Sequence, residues 1–182
     1  MLESEFTLLG DGVWLDFVNT ARGRGASPPD LLPDSDALAR WAAAQSIGPI
    51  GGDEPFFEEV LKFRELLIAL AEALHSELQP PATSITAINQ QLSGNGGCHQ
   101  LTRVSGEWRL RFAPARRPSL LEAIAQSAAS VLADPLLMVR RCAGESCSLF
   151  FTDDSPAQAR RCCIAAVCGQ RVRVERRRGL LR

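Results

Sequence analysis

The sequence predicts an α+β protein: a predominantly helical body with one small β-hairpin, followed by a short C-terminal module rich in cysteine and arginine. Three observations lead there. Apolar residues recur at helical spacing through much of residues 1–135, and one stretch alternates around a Ser-Gly turn. Five of the six cysteines fall between residues 140 and 178, among a dense set of arginines. A length of 182 residues suits one domain, or one domain plus an appended module, giving a body over 1–135 and a module over 136–182.

Taken in order, GDGVWLDFVNT combines turn residues with a short apolar run and fits either a strand or the opening turn of a helix. After the Gly- and Pro-rich loop RGRGASPPDLLPD, the segment from Ser35 to about Ile47 puts Leu38, Trp41 and Ala42 on one face, as an amphipathic helix does. Asp53 is the expected N-cap of the longest helix, with Pro55 in its first turn. Its apolar positions Phe57, Val60, Leu67, Ala71 and Leu74 are widened by a second stripe at Phe56, Phe63, Leu66 and Leu70, which makes it the centre of the core. A shorter helix is expected from about Ser84 to Leu92. Residues 98–113 alternate, with Trp108, Leu110 and Phe112 opposite Arg109 and Arg111, which predicts a hairpin with a polar face. Ser119 and Glu122 form a capping box before Leu121, Ile124, Ala125, Ala128 and Leu132, and the helix stops before Asp134-Pro135.

Charge divides the chain. Residues 1–139 hold ten Lys+Arg against seventeen Asp+Glu, whereas residues 140–182 hold ten arginines against four acids. A basic segment beside an acidic body is the pattern of an appended nucleic-acid-binding module, with a solvated face or an acidic partner as the alternative. No run approaches the roughly 20 apolar residues that span a bilayer. The acidic opening MLESEFTLLGDG lacks the basic start of a signal peptide, so the expected compartment is the reducing cytoplasm.

In that compartment clustered cysteines bind metal or do redox chemistry more often than they form disulfides. Cys142/Cys147 and Cys163/Cys168 are two C-x4-C pairs, a spacing that fits one structural zinc ion per chain with four thiolate ligands better than a packed or redox role. Cys162 could replace Cys163, but the equal spacing favours Cys163. LLMVRR and SLFF read as short strands, TDDSP as a turn, and the stretch from Cys168 as a helix, an order that resembles a treble clef. So small a module needs the metal for much of its folding energy.

These residues carry a family resemblance. C142-AGES-C147, F151-T-D153-D-S155, R160-R161-C162-C163 and C168-G169-Q170-R171 resemble the CGNR zinc finger, with Cys162 in place of its usual tryptophan and Gln170 in place of its asparagine. GVWLDFVNT, followed by Asp36, Leu38 and Trp41, is similar to the opening of the ABATE domain that precedes this finger in stress-induced transcription regulators. The resemblance implies a zinc-dependent DNA-binding module on a helical body that senses an effector.

Arg160, Arg161, Arg171, Arg173, Arg176, Arg177 and Arg178 are the candidate phosphate contacts, since guanidinium groups are planar, permanently charged and bidentate. Asp16 and Asn19 suit either a small ligand or, the favoured reading, satisfaction of backbone groups; Arg22 and Arg24 add a candidate anion site. No G-x-S-x-G, H-E-x-x-H or P-loop is present, and a four-cysteine site leaves no open metal position, so no enzyme is expected. The alternative function is a zinc-stabilised protein-interaction or redox-responsive module without DNA binding, the redox form resting on Cys162 as a spare thiol. A homo-oligomer is compatible with a DNA reader, but no heptad marks one.

Overall fold

A computed structural model describes residues 5–9, 11–48, 54–94 and 96–169. The undecided opening segment is helix α1, Val13–Val18, extended by a 3-10 turn over Asn19–Ala21. Trp14, Leu15, Asp16, Phe17 and Val18 are all buried, so α1 has no exposed face and shows no helical period in the sequence. Helix α2, Ser35–Ala44, is capped by Asp34, whose carboxylate accepts from Ala37 N at 2.7 Å. It buries Leu38, Trp41 and Ala42, with Trp41 5.2 Å from the Phe17 ring.

Helix α3, Glu54–His75, runs through the core, burying Phe57, Val60, Phe63, Leu67, Leu70 and Ala71. Asp53, its expected cap, lies outside the described residues. The helix closes before the double proline because Glu77 turns to a φ of 56° and Leu78 N donates to Ala73 O at 2.9 Å, a Schellman end. Helix α4 covers Ala82–Ser93. Helix α5, Leu120–Leu132, carries the expected capping box between Ser119 and Glu122. Within the body, α1 packs on α3 and α5, and α4 packs on α3 and α5.

Strands β1, Gly97–Val104, and β2, Glu107–Pro114, pair antiparallel with Leu101 opposite Leu110 and His99 opposite Phe112. The turn at Ser105-Gly106 has positive φ at both positions, 51° and 87°, which matches the twist of a two-residue hairpin. Both faces are exposed, including Leu101, Trp108, Leu110 and Phe112. A second antiparallel pair, β3 over Met138–Arg141 and β4 over Phe150–Asp153, is short and largely buried. Val139 and Phe150 belong to the same apolar cluster as Trp14 and Leu67, so this sheet is anchored in the body's core while its far end carries the cysteines. The architecture is α+β, with the expected strands on either side of Cys142 and Cys147.

Candidate metal centre and its arginine surroundings

Cys142 follows β3, and its N–H donates to Leu149 O at 2.9 Å. The chain then doubles back so that Cys147 N reaches Gly144 O at 3.0 Å. Gly144 lets this turn pass close to Cys168, because a Cβ there would lie 3.0 Å from Cys168 Cβ and 3.2 Å from its sulfur. Cys163 comes from the chain returning after β4, and Cys168 from a single helical turn over Ala165–Gly169. The four sulfurs lie within 4.8 Å of one another and all four residues are buried. Cys147 to Cys163 is 3.8 Å and Cys163 to Cys168 is 3.7 Å. Four thiolates around a tetrahedral zinc at about 2.3 Å would stand about 3.8 Å apart, so the cluster has the size for that ion.

The environment favours negative sulfur at Cys142. Gly144 N and Cys163 N each donate to Cys142 Sγ at 3.4 Å. Hydrogen bonds from the Cys147 and Cys163 thiols hold Cys142 far below the ordinary thiol range. The same contact with Cys142 pushes Cys147 up to about 11 and raises Cys163 further. Crowded thiols therefore ionise one at a time until a cation draws off the remaining protons. Cys162 stands outside the cluster, half-buried, with its thiol raised chiefly by burial.

Residues 138–179 match the CGNR zinc finger, and residues 11–135 match ABATE, described as "Putative stress-induced transcription regulator". The chain belongs to the ABATE family. A comparison with curated proteins finds no match. The order of an ABATE domain followed by a CGNR finger is the one that the sequence motifs imply.

The arginines of this finger divide into two kinds. Arg160 uses all five of its N–H groups inside the protein: Nε to Cys162 O at 3.2 Å, Nη1 to Asp11 and Thr152 O at 2.8 and 2.9 Å, and Nη2 to Asp11 and Cys163 O at 3.0 and 2.7 Å. Its guanidinium also lies 4.5 Å over the Phe151 ring. No donor remains for a phosphate, so this residue joins the finger to the body instead. Arg140 is held by buried Asp153 at 3.1 Å and by Gln158 O at 3.1 Å. Burial alone would raise the Asp153 carboxyl, but hydrogen bonds from Ser155, Arg160 N and Arg140 outweigh it and hold the group below the usual carboxylate range.

Arg141 and Arg161 are the second kind. Both are exposed, and among the described residues neither guanidinium has a hydrogen bond or ion pair. Together with His75, Arg140, Gln158 and Arg160 they line an open cleft of about 480 Å³ that carries no carboxylate. Arg171, Arg173, Arg176, Arg177 and Arg178 lie outside the described residues.

Asp16 and Asn19 are spent on the fold. Asp16 accepts from Leu9 N at 2.8 Å and Gln45 Nε2 at 3.0 Å. Asn19 both donates to Phe150 O and accepts from Phe150 N, each at 2.9 Å. Arg22 pairs with Glu72 at 2.9 Å and lies 5.7 Å over the Phe150 ring. Arg141 stands out in the sequence only as one of the arginines that precede the cysteine pairs, and Asp11 gave no signal, since it belongs to no local pattern. Asp153 and Ser155 were visible only as letters of the finger motif, without a role.

Proposed function

We propose that this chain is a zinc-dependent DNA-binding transcription regulator, in which one structural zinc ion per chain is held by Cys142, Cys147, Cys163 and Cys168. The observation that carries the reading is the cleft beside the metal centre, which among the described residues is lined by no carboxylate and has the unpaired guanidinium groups of Arg141 and Arg161 at its wall. Such groups bind phosphate oxygens without reading bases, and the basic segment from Arg171 to Arg178 would extend the same surface. The helical body would then be the part that senses an effector. Four protein ligands close the coordination sphere, which supports a structural metal and a role without catalysis. Among the described residues no helix is long and apolar enough to cross a membrane.

The test is binding of the zinc-loaded chain to duplex DNA across a salt series. Affinity should fall linearly with salt on logarithmic axes, and Arg141→Ala and Arg161→Ala should each reduce that slope by about one. Absence of binding at low salt, with zinc retained, overturns the reading and favours a protein-interaction module. Burial of Cys162 gives little support to the redox form of that alternative, because a raised thiol is a poor nucleophile.

A further inference from the structure

Part of the surroundings of the finger's sulfurs comes from the body. A loop of the body, Gly23 to Gly25, lies against the turn between Cys142 and Cys147 and is sewn to it along the backbone. Gly25 N donates to Ser146 O at 2.7 Å, Ser148 N donates to Gly23 O at 2.9 Å, and Arg24 and Cys147 form an isolated antiparallel bridge. Ser148 completes the clasp, its hydroxyl accepting from Gly23 N at 3.0 Å and donating to Gly23 O at 3.1 Å. Gly25 sits at a φ of 110°, which side chains rarely adopt.

This clasp delivers the Arg24 side chain to the cluster. Its Nη2 lies 3.6 Å from Cys163 Sγ, within reach of a hydrogen bond to that sulfur. Its Nε is buried and has no acceptor among the described residues. Arg140, Arg141, Arg160 and Arg161 make no hydrogen bond to these sulfurs among the described residues, although they are the finger's own cations.

We propose that Arg24 is an outer-shell partner of the metal centre, lent by the body, and that the Gly23 to Gly25 loop thereby sets how firmly the finger keeps its metal. Zinc with four thiolates carries a net charge of about −2, and burying it is costly unless a cation and hydrogen-bond donors face it. Backbone amides cover Cys142, while Arg24 faces Cys163. A weakly hydrated, delocalised guanidinium is the cation best suited to that position. The body and the finger are then coupled through the metal, because any displacement of the loop withdraws positive charge from the thiolates.

The test uses the full chain loaded with zinc, and in parallel with cobalt(II), whose absorption bands report the thiolate environment. Arg24→Ala leaves the backbone clasp intact and removes only the guanidinium. It is expected to speed zinc transfer to a chelator about 10- to 100-fold, the range for loss of an outer-shell partner, and to shift the cobalt bands. Arg24→Lys, with charge but no planar fork, is expected between the parent and Arg24→Ala in both readouts. Gly25→Ala strains the loop and should speed release too, with little further effect when combined with Arg24→Ala. Release at the parental rate in Arg24→Ala overturns the proposal, as does faster release with unshifted cobalt bands, which would assign Arg24 to loop packing alone.

Discussion

The helical body and the finger solve the same problem with different materials. The body buries Trp14, Phe17, Trp41, Leu67, Leu70 and Ile124 in one continuous apolar cluster, with a few hydrogen-bonded polar groups such as Asp16, Asn19 and Arg64 set among it. Among the described residues, the buried part of the finger's own cluster holds only Leu149, Phe151 and four cysteines. It is held instead by saturated polar groups: Arg160 with five bonds, Asp153 accepting from three residues, and the backbone clasp to Gly23 and Gly25. Where apolar area is scarce, order depends on each donor finding its acceptor and on the metal. Such a unit should fail abruptly when one group is removed, whereas the body should lose stability in proportion to the volume removed.

Metal removal is the largest expected break in that contrast. Structural zinc contributes about 10 kcal/mol or more to small fingers, so chelation should unfold the segment from Cys142 to Gly169 while α3 stays folded. Hydrogen exchange would show this as rapid exchange of the finger amides with the α3 amides still protected; uniform loss of protection would mean that the two regions fold as one unit. Next comes Trp41→Ala, expected to cost about 3–5 kcal/mol in chemical denaturation while the metal stays bound until global unfolding.

Arg160→Ala should cost less, about 1–3 kcal/mol, because its side chain is 28% exposed, but it should also loosen the metal, since it supports the carbonyls of Cys162 and Cys163. A parental zinc affinity in that variant would confine Arg160 to holding Asp11. The smallest effect is in pH. Asp153 is held below its unfolded value, so its stabilisation is full above the ordinary carboxylate range and is lost as pH falls through the lowered folded value. The stability difference between parent and Asp153→Asn should therefore shrink on acidification from pH 6 towards pH 3.

Local signals were legible and distant ones were not. The Ser119–Glu122 capping box, the long stripe of α3 and the hairpin turn at Ser105-Gly106 are decided within a few residues, so the sequence displays them. The equal spacing of the cysteines is likewise local, and those four residues are the ones that cluster. Helix α1 hid its type because burial on all sides erases the period. Arg160 looked like a phosphate contact because nothing nearby in the sequence reveals Asp11 as its partner, 149 residues away. Arg24 was hidden for the same reason: within RGRG it reads as a loop cation, and its target lies 139 residues on.

The amide of Asn19 presents one donor and one acceptor to Phe150, as the peptide of an adjacent strand would. Two residues on, Thr152 O is occupied by Arg160 Nη1. The free edge of β4 is therefore occupied by side chains at both outward-facing positions and offers little template for a strand from another molecule. Among the described residues the β1–β2 hairpin has no such cover, so any tendency of this protein to self-associate through strand pairing should concentrate there, and charge added to the hairpin should suppress it more than charge added beside β4.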